Sequence, residues 1–232
     1  MNHKRTLLID ADDTLWENNR FFEGEILAFV ALMKKEGLIP DRIEKVLRER
    51  EIANVKYYGY GSRSFTKTML EVYKEACSIE KRPVENRLIE LISGAGERTG
   101  NYPITLLPGV EKTLPVLRGK NNLILLTKGH EKEQLGKIKR SGVSHYFQHI
   151  RVVPEKNESI YRSVIEDFGL DPEHTWMIGN SPKSDINPAK KAGMGTVLIP
   201  YHTTWAHEKD EIFENGRETV VLEDFSGLVG LF

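Results

Sequence analysis

The chain has 232 residues, 39% of them hydrophobic and 29% charged, an ordinary globular composition long enough to bury a core without covalent staples. Lys and Arg number 33 against 34 Asp and Glu, a formal charge of -1, so no long-range field favours nucleic acid or an anionic membrane. The single cysteine, Cys77, excludes an internal disulfide framework and any cysteine-cluster zinc site. The first apolar run, Leu7-Leu8-Ile9, stops at Asp10, too short for a signal peptide or a membrane span. The expectation is a soluble cytoplasmic protein, monomer or homodimer, with no nucleic-acid or membrane partner.

Thr6 to Ile9 reads as a buried strand ended by the acidic cluster Asp10-Ala11-Asp12-Asp13. Further runs of the same kind are 122–127, 149–153, 175–179, 196–199 and, more weakly, 219–222. Helical patterns separate them: 110–117, 131–141 closed by Gly142, and 158–168 closed by Gly169, with Ile160, Val164 and Phe168 on one face. Strands alternating with helices predict a Rossmann-like α/β core with a parallel sheet. Between the first two strands lies a long stretch without strand signal. Phe22, Ile26, Phe29 and Met33 share a helical face, as do Ile43, Val46 and Leu47, then Phe65, Met69, Val72 and Tyr73, then Val84, Leu88, Leu91 and Ile92. This is far more chain than the dozen or so residues a crossover needs. An inserted all-helical domain is expected at 17–104, leaving 1–16 and 105–232 as the α/β core.

In an open parallel sheet, ligands bind beyond the carboxyl ends of the strands. Those ends deliver Asp10 and Asp12, Thr127, Lys156, and Asn180 with Asp185. Any one of these could be a cap or turn residue. Together they are an unusual set, because two like charges about 4 Å apart repel by roughly 4 kcal/mol at an effective dielectric near 20. A hard divalent cation resolves the repulsion, and Mg²⁺ suits a few carboxylates plus waters and a substrate phosphate.

Asp10-Ala11-Asp12-Asp13-Thr14-Leu15 resembles the DxDxT signature of the haloacid dehalogenase superfamily of phosphohydrolases. Thr127 and Lys156 resemble its second and third motifs, Gly179 to Asp185 its GDxxxxD loop, and the helical insert sits where members with a type-1 cap carry theirs. The resemblance implies a Mg²⁺-dependent phosphomonoester hydrolase acting on a small phosphorylated metabolite through an aspartyl-phosphate. Asp10 is then the nucleophile, Asp12 the general acid and base, and Lys156 and Thr127 the partners of the phosphoryl oxygens. Asp12 points to esters rather than halides, since halide leaves without a proton. The implied metal ligands are the Asp10 carboxylate, the Asp12 backbone carbonyl and Asp185, with Asn180 offering an amide oxygen where relatives more often carry Asp. Thr14, Lys128, Gly129 and Arg63 are the candidates to contact substrate.

Tyr57 to Arg63 is expected to be an ordinary connection between helices, with a leaving-group reader as its functional alternative. Trp16, Glu17 and Asn18 either line the pocket or begin the linker to the insert. The seven histidines show no metal-ligand spacing, and Cys77 reads as core. A signalling receiver domain is disfavoured, because no Asp ends the 122–127 or 149–153 strands. The alternative to an enzyme is a non-catalytic or weakly active phosphate-binding relative, for which Asn180 is the support.

Overall fold

Thr6–Ile9 forms β1 with every residue buried, as a strand in the middle of a sheet covered on both faces requires. The computed structural model describes residues 4–38, 40–214 and 216–232. The other strands are β2 (Asn122–Lys128), β3 (His149–Val153), β4 (Thr175–Gly179), β5 (Gly195–Leu198) and β6 (Thr219–Val221). They pair in parallel in the order β3-β2-β1-β4-β5-β6. Leu7 aligns with Leu123 on one side and Trp176 on the other. The order reverses at β1 and β4, so the crevice at their carboxyl ends is where this class of fold binds ligands.

The period-2 alternation of the strands sorts the core into two layers. Leu7, Ile9, Leu123, Leu125, Ile178 and Val197 pack on one face against Val110, Leu114 and Leu117 of α5 (Val110–Lys120) and Ile138 of α6 (Glu131–Ser141). Leu8, Ile124, Leu126 and Met177 pack on the other against Tyr161 and Val164 of α7 (Glu158–Phe168) and Ala189 of α8 (Asn187–Lys191). Gly142 and Gly169 end α6 and α7 in the left-handed conformation that the sequence pattern anticipates.

The chain divides into two compact units, residues 1–19 with 104–232, and residues 20–103. Residues 17–19 cluster with the α/β unit because the Asp13 carboxylate accepts the backbone N–H groups of Asn18 and Asn19 at 2.8–3.1 Å. The second unit is helical: α1 (Asn19–Lys35), α2 (Pro40–Tyr58), α3 (Ser62–Ile79) and α4 (Asn86–Asn101). Its own core joins Phe29 and Met33, Leu47, Met69 and Tyr73, and Ile92, with Cys77 buried among them. The aromatic 57–63 stretch is mostly helix end and helix start, and only Gly59 to Gly61 connect. Both glycines there have positive φ (72° and 108°). Among the described residues no helix is long and apolar enough to cross a membrane.

Candidate active site

β1 hands the chain directly to Asp10, whose backbone N–H still donates to the Ile178 carbonyl of β4 at 2.9 Å, so the nucleophile candidate is anchored by its neighbouring strand. Beyond it the chain folds back tightly, with the Leu15 N–H donating to the Ala11 carbonyl at 2.8 Å and Asp13 in the left-handed region at φ 61°. That turn brings the Thr14 hydroxyl under the carboxylates, 2.9 Å from Asp10 Oδ2 and 3.3 Å from Asn180 Oδ1. Asp10 and Asn180 therefore share one polar site although 170 positions separate them in the chain.

Lys156 lies in the segment between β3 and α7, fully buried, and its ammonium bridges two carboxylates: Asp10 Oδ1 at 2.5 Å and Asp185 Oδ1 at 2.7 Å. Asp185 arrives on a single π-helical turn, Pro182–Ile186, a local geometry found disproportionately at functional sites. Its Oδ2 accepts the Ser181 N–H at 3.0 Å. Gly179 is obligatory before this loop, since a Cβ there would lie 2.2 Å from Asp185 Oδ2.

Asp12 is held differently. Its Oδ1 accepts the Trp16 indole N–H at 2.8 Å, and its Oδ2 accepts Gln134 Nε2 at 3.0 Å and Lys137 Nζ at 2.5 Å. Trp16 is thus a buried partner of Asp12 as well as the start of the linker. Thr127, at the carboxyl end of β2, is buried and accepts the same Gln134 Nε2 at 2.9 Å. Gly129 follows at φ 137°, where the Gln134 side chain packs against it. The Lys128 ammonium is engaged by Glu208 Oε1 at 2.6 Å and Ser184 Oγ at 2.7 Å, which turns the cation beside Thr127 into a tie for the Asp185 loop. Arg63 is exposed in the first turn of α3, in the helical unit. Of the histidines, His207 has its pKa lowered by burial and, secondly, by the Lys183 ammonium 3.0 Å away.

Burial alone would depress the Lys156 ammonium, but the charges of Asp10 and Asp185 outweigh it and raise its pKa above the ordinary lysine value. Burial lifts the Asp10 carboxyl to about 7, Lys156 opposing and Asp185 adding to the rise. One ammonium between two dry carboxylates leaves the centre short of positive charge. The oxygen-only donor set of Asp10, Asp185, the Asn180 amide and the backbone carbonyl of Asp12 has the chemistry a hard cation such as Mg²⁺ prefers. Among the described residues no three of His, Cys, Asp and Glu cluster as a ligand set. A set that includes Asn180 has only two carboxylate side chains to offer.

Three contributors escape the sequence pattern. Gln134 and Lys137 occupy the inner face of α6, and Glu208 lies in the loop after β5. Glu208 binds Lys128, Ser181 and Ser184 at once. Burial would raise its pKa, but Lys128 and the two serine hydroxyls hold it down at about 2. The spacing of Gln134 and Lys137, one turn apart, was the available signal, although surface helices commonly show it too.

The haloacid dehalogenase-like hydrolase family matches residues 4–193, and the chain belongs to that family. A glyceraldehyde 3-phosphate phosphatase of Methanopyrus kandleri is 27% identical over 202 residues, 84% of this chain and 83% of the relative. A phosphoserine phosphatase of Thermus thermophilus is 28% identical over 55% of this chain and 53% of the relative. The crystal structure of a haloacid dehalogenase-like family hydrolase from Xanthomonas campestris superposes with a TM-score of 0.83 at 27% identity, covering 98% of this chain and 94% of the other.

Proposed function

We propose that the protein is a Mg²⁺-dependent phosphomonoester hydrolase acting on a small phosphorylated metabolite through an aspartyl-phosphate. The observation that carries this reading is the buried Lys156 ammonium bridging Asp10 and Asp185 at the point where the strand order reverses. Relatives named as phosphatases of glyceraldehyde 3-phosphate and phosphoserine support the substrate class.

An Asp10 carboxylate oxygen attacks phosphorus and the ester P–O bond breaks, leaving the phosphoryl group on Asp10. Asp12 gives its proton to the departing alkoxide. It then takes a proton from water, and the resulting hydroxide attacks phosphorus to release inorganic phosphate and restore the Asp10 carboxylate. A carboxylate approaching a phosphate dianion needs compensating charge, which Lys156 supplies from one side while the Thr127 hydroxyl donates to a phosphoryl oxygen. Bound at Asp10, the Asp12 carbonyl, Asp185 and Asn180, Mg²⁺ would add positive charge to the transferring group. Thr14 orients the nucleophile through its bond to Asp10 Oδ2. The helical unit is the cap in this reading. Asn180 in place of a carboxylate favours a second, weaker reading, a relative that binds phosphate with little turnover.

Turnover of p-nitrophenyl phosphate and of a metabolite phosphate panel, with and without Mg²⁺, tests the assignment. Wild-type hydrolysis that needs Mg²⁺ and falls to background in Asp10→Asn is the expected result. Equal rates in the two proteins would refute the nucleophile.

A further inference from the structure

We propose that Gln134 and Lys137 are positioning residues that set the hydrogen-bond polarity of Thr127 and the aim of Asp12. The inference rests on the phosphatase reading of the site. On the inner face of helix α6, beside the buried Ile138, Gln134 and Lys137 are each 3% exposed, while Leu135 is 44% exposed. Burying an amide and an ammonium while leaving a leucine in water is unfavourable unless specific partners repay it. The partners of Gln134 Nε2 and Lys137 Nζ include the proposed catalytic groups, while Gln134 Oε1 has no hydrogen-bond partner among the described residues. Gln134 Nε2 lies 2.9 Å from Thr127 Oγ1, 3.0 Å from Asp12 Oδ2 and 2.6 Å from the Lys128 carbonyl. Lys137 Nζ lies 2.5 Å from Asp12 Oδ2 and 3.1 Å from Asn18 Oδ1. Gly129 makes room, since a Cβ there would meet Gln134 Cγ at 3.3 Å.

The consequence follows from donor counting. A threonine hydroxyl carries one hydrogen. The Gln134 amide has two hydrogens for three acceptors, but Lys137 also serves Asp12 Oδ2, so one amide hydrogen can go to the Lys128 carbonyl and the other to the Thr127 oxygen, which leaves the threonine hydrogen for a phosphoryl oxygen. Asp12 receives donors on both oxygens, the Trp16 indole on Oδ1 and the Gln134 and Lys137 pair on Oδ2, so the carboxyl plane is clamped from two directions. A carboxylate held in one plane by these donors has one open direction along which to take a proton and pass it to the leaving oxygen, and proton delivery matters in proportion to how poor the leaving group is.

That last point provides the test. Phenyl phosphate and p-nitrophenyl phosphate differ little in size, but phenoxide needs protonation far more than nitrophenoxide. Lys137→Met should lose about tenfold more kcat/KM on phenyl phosphate than on p-nitrophenyl phosphate, kcat/KM being the quantity that reports departure of the alcohol before the aspartyl-phosphate common to both esters, and Lys137→Arg should recover part of the difference. Gln134→Glu, which keeps the shape but offers acceptors where Nε2 donates, should slow both esters, and its effect should shrink in a Thr127→Val background. Thermal melting confirms that each variant is folded, and Lys137→Gln substitutes if Lys137→Met is not. Equal losses on the two esters, or additive effects of Gln134→Glu and Thr127→Val, would overturn the inference while Asp10→Asn remains inactive. Activity surviving in Asp10→Asn would instead sink the reading of the whole site.

Discussion

At Gly179 a single hydrogen decides whether the site can exist. The Asp185 carboxylate fills the space a methyl group would need, with Oδ2 at 2.2 Å and Cγ at 2.3 Å from an ideal Cβ. Gly179→Ala should therefore push Asp185 off Lys156, costing about 1–3 kcal/mol in stability by overpacking and most of the turnover. Thermal unfolding and p-nitrophenyl phosphate kinetics read the two effects, and a wild-type rate in the variant would contradict the proposed role of Asp185. Asn180 presents the opposite case, a residue whose charge rather than size departs from the usual pattern. Its amide oxygen already faces Thr14 at 3.3 Å, so Asn180→Asp adds charge without adding volume. Mg²⁺ titration should show tighter binding in that variant, and unchanged affinity would count against a metal role for position 180. The extra carboxylate would also sit near Asp10 and Asp185, so the variant without Mg²⁺ should be less stable than wild type.

The elements that carry these residues are tied by polar contacts as much as by packing. The loop after β5 is fastened to the π-helical turn through Glu208, which accepts from Ser181 at 2.7 Å and Ser184 at 2.6 Å while pairing with Lys128. Asn187, at the start of α8, adds a bond from its Nδ2 to the Glu211 carbonyl at 2.7 Å and accepts the Phe213 N–H at 2.8 Å. Glu208→Gln leaves Lys128 beside a neutral amide and should cost about 3 kcal/mol at neutral pH, the lower end of the range for breaking a buried pair. The sign of its pH dependence follows from a folded pKa near 2 against 4.5 unfolded. The Glu208 contribution is complete above about pH 4.5 and disappears as pH falls through 2. Denaturant unfolding of both proteins between pH 3 and 7 should show the gap narrowing on the acid side, and a constant gap would exclude the ion pair as its source.

Across the whole molecule, two units carry separate cores, one sandwiching a parallel sheet and one formed by four helices packed on each other. The helical unit contains a half-buried group at odds with its surroundings. Burial raises the Glu51 carboxyl to about 7, Glu23 adding to the rise and Arg48 opposing it, and Glu51 Oε2 has no hydrogen-bond partner among the described residues. Its folded pKa exceeds the unfolded value of 4.5, so the folded state holds the proton and stability falls as pH rises between about 4.5 and 7. Glu51→Gln should then stabilise the protein by on the order of 2 kcal/mol at pH 8 and by little at pH 4. A melting series across that interval checks it, and an unchanged difference at both ends would show that Glu51 is not the group responsible.

Much of this architecture is written in the residue order, for reasons that particular segments make plain. Strands β1, β2 and β4 are covered on both faces, so they must be nearly continuous apolar runs, and they stop where a polar crevice begins. Asp10, Thr127 and the Gly179 to Asp185 loop are recognisable because each follows such a run at once. Three amphipathic faces of the insert are legible for the same reason, each apolar side having to meet a neighbour, whereas of the fourth set only Leu88 and Ile92 are buried: Val84 precedes α4, and both it and Leu91 are exposed. What depends on tertiary structure is the direction of side chains whose type suits both water and a buried partner. Gln134 and Lys137 look like surface residues until α6 is laid against β2 with that face inward. Lys128 could point toward a substrate until Glu208, eighty positions away, arrives to bind it. Residue order settles which segments are buried, because hydrophobicity is a property of each residue alone. Electrostatic partnership belongs to pairs, and only the folded chain decides which pairs meet.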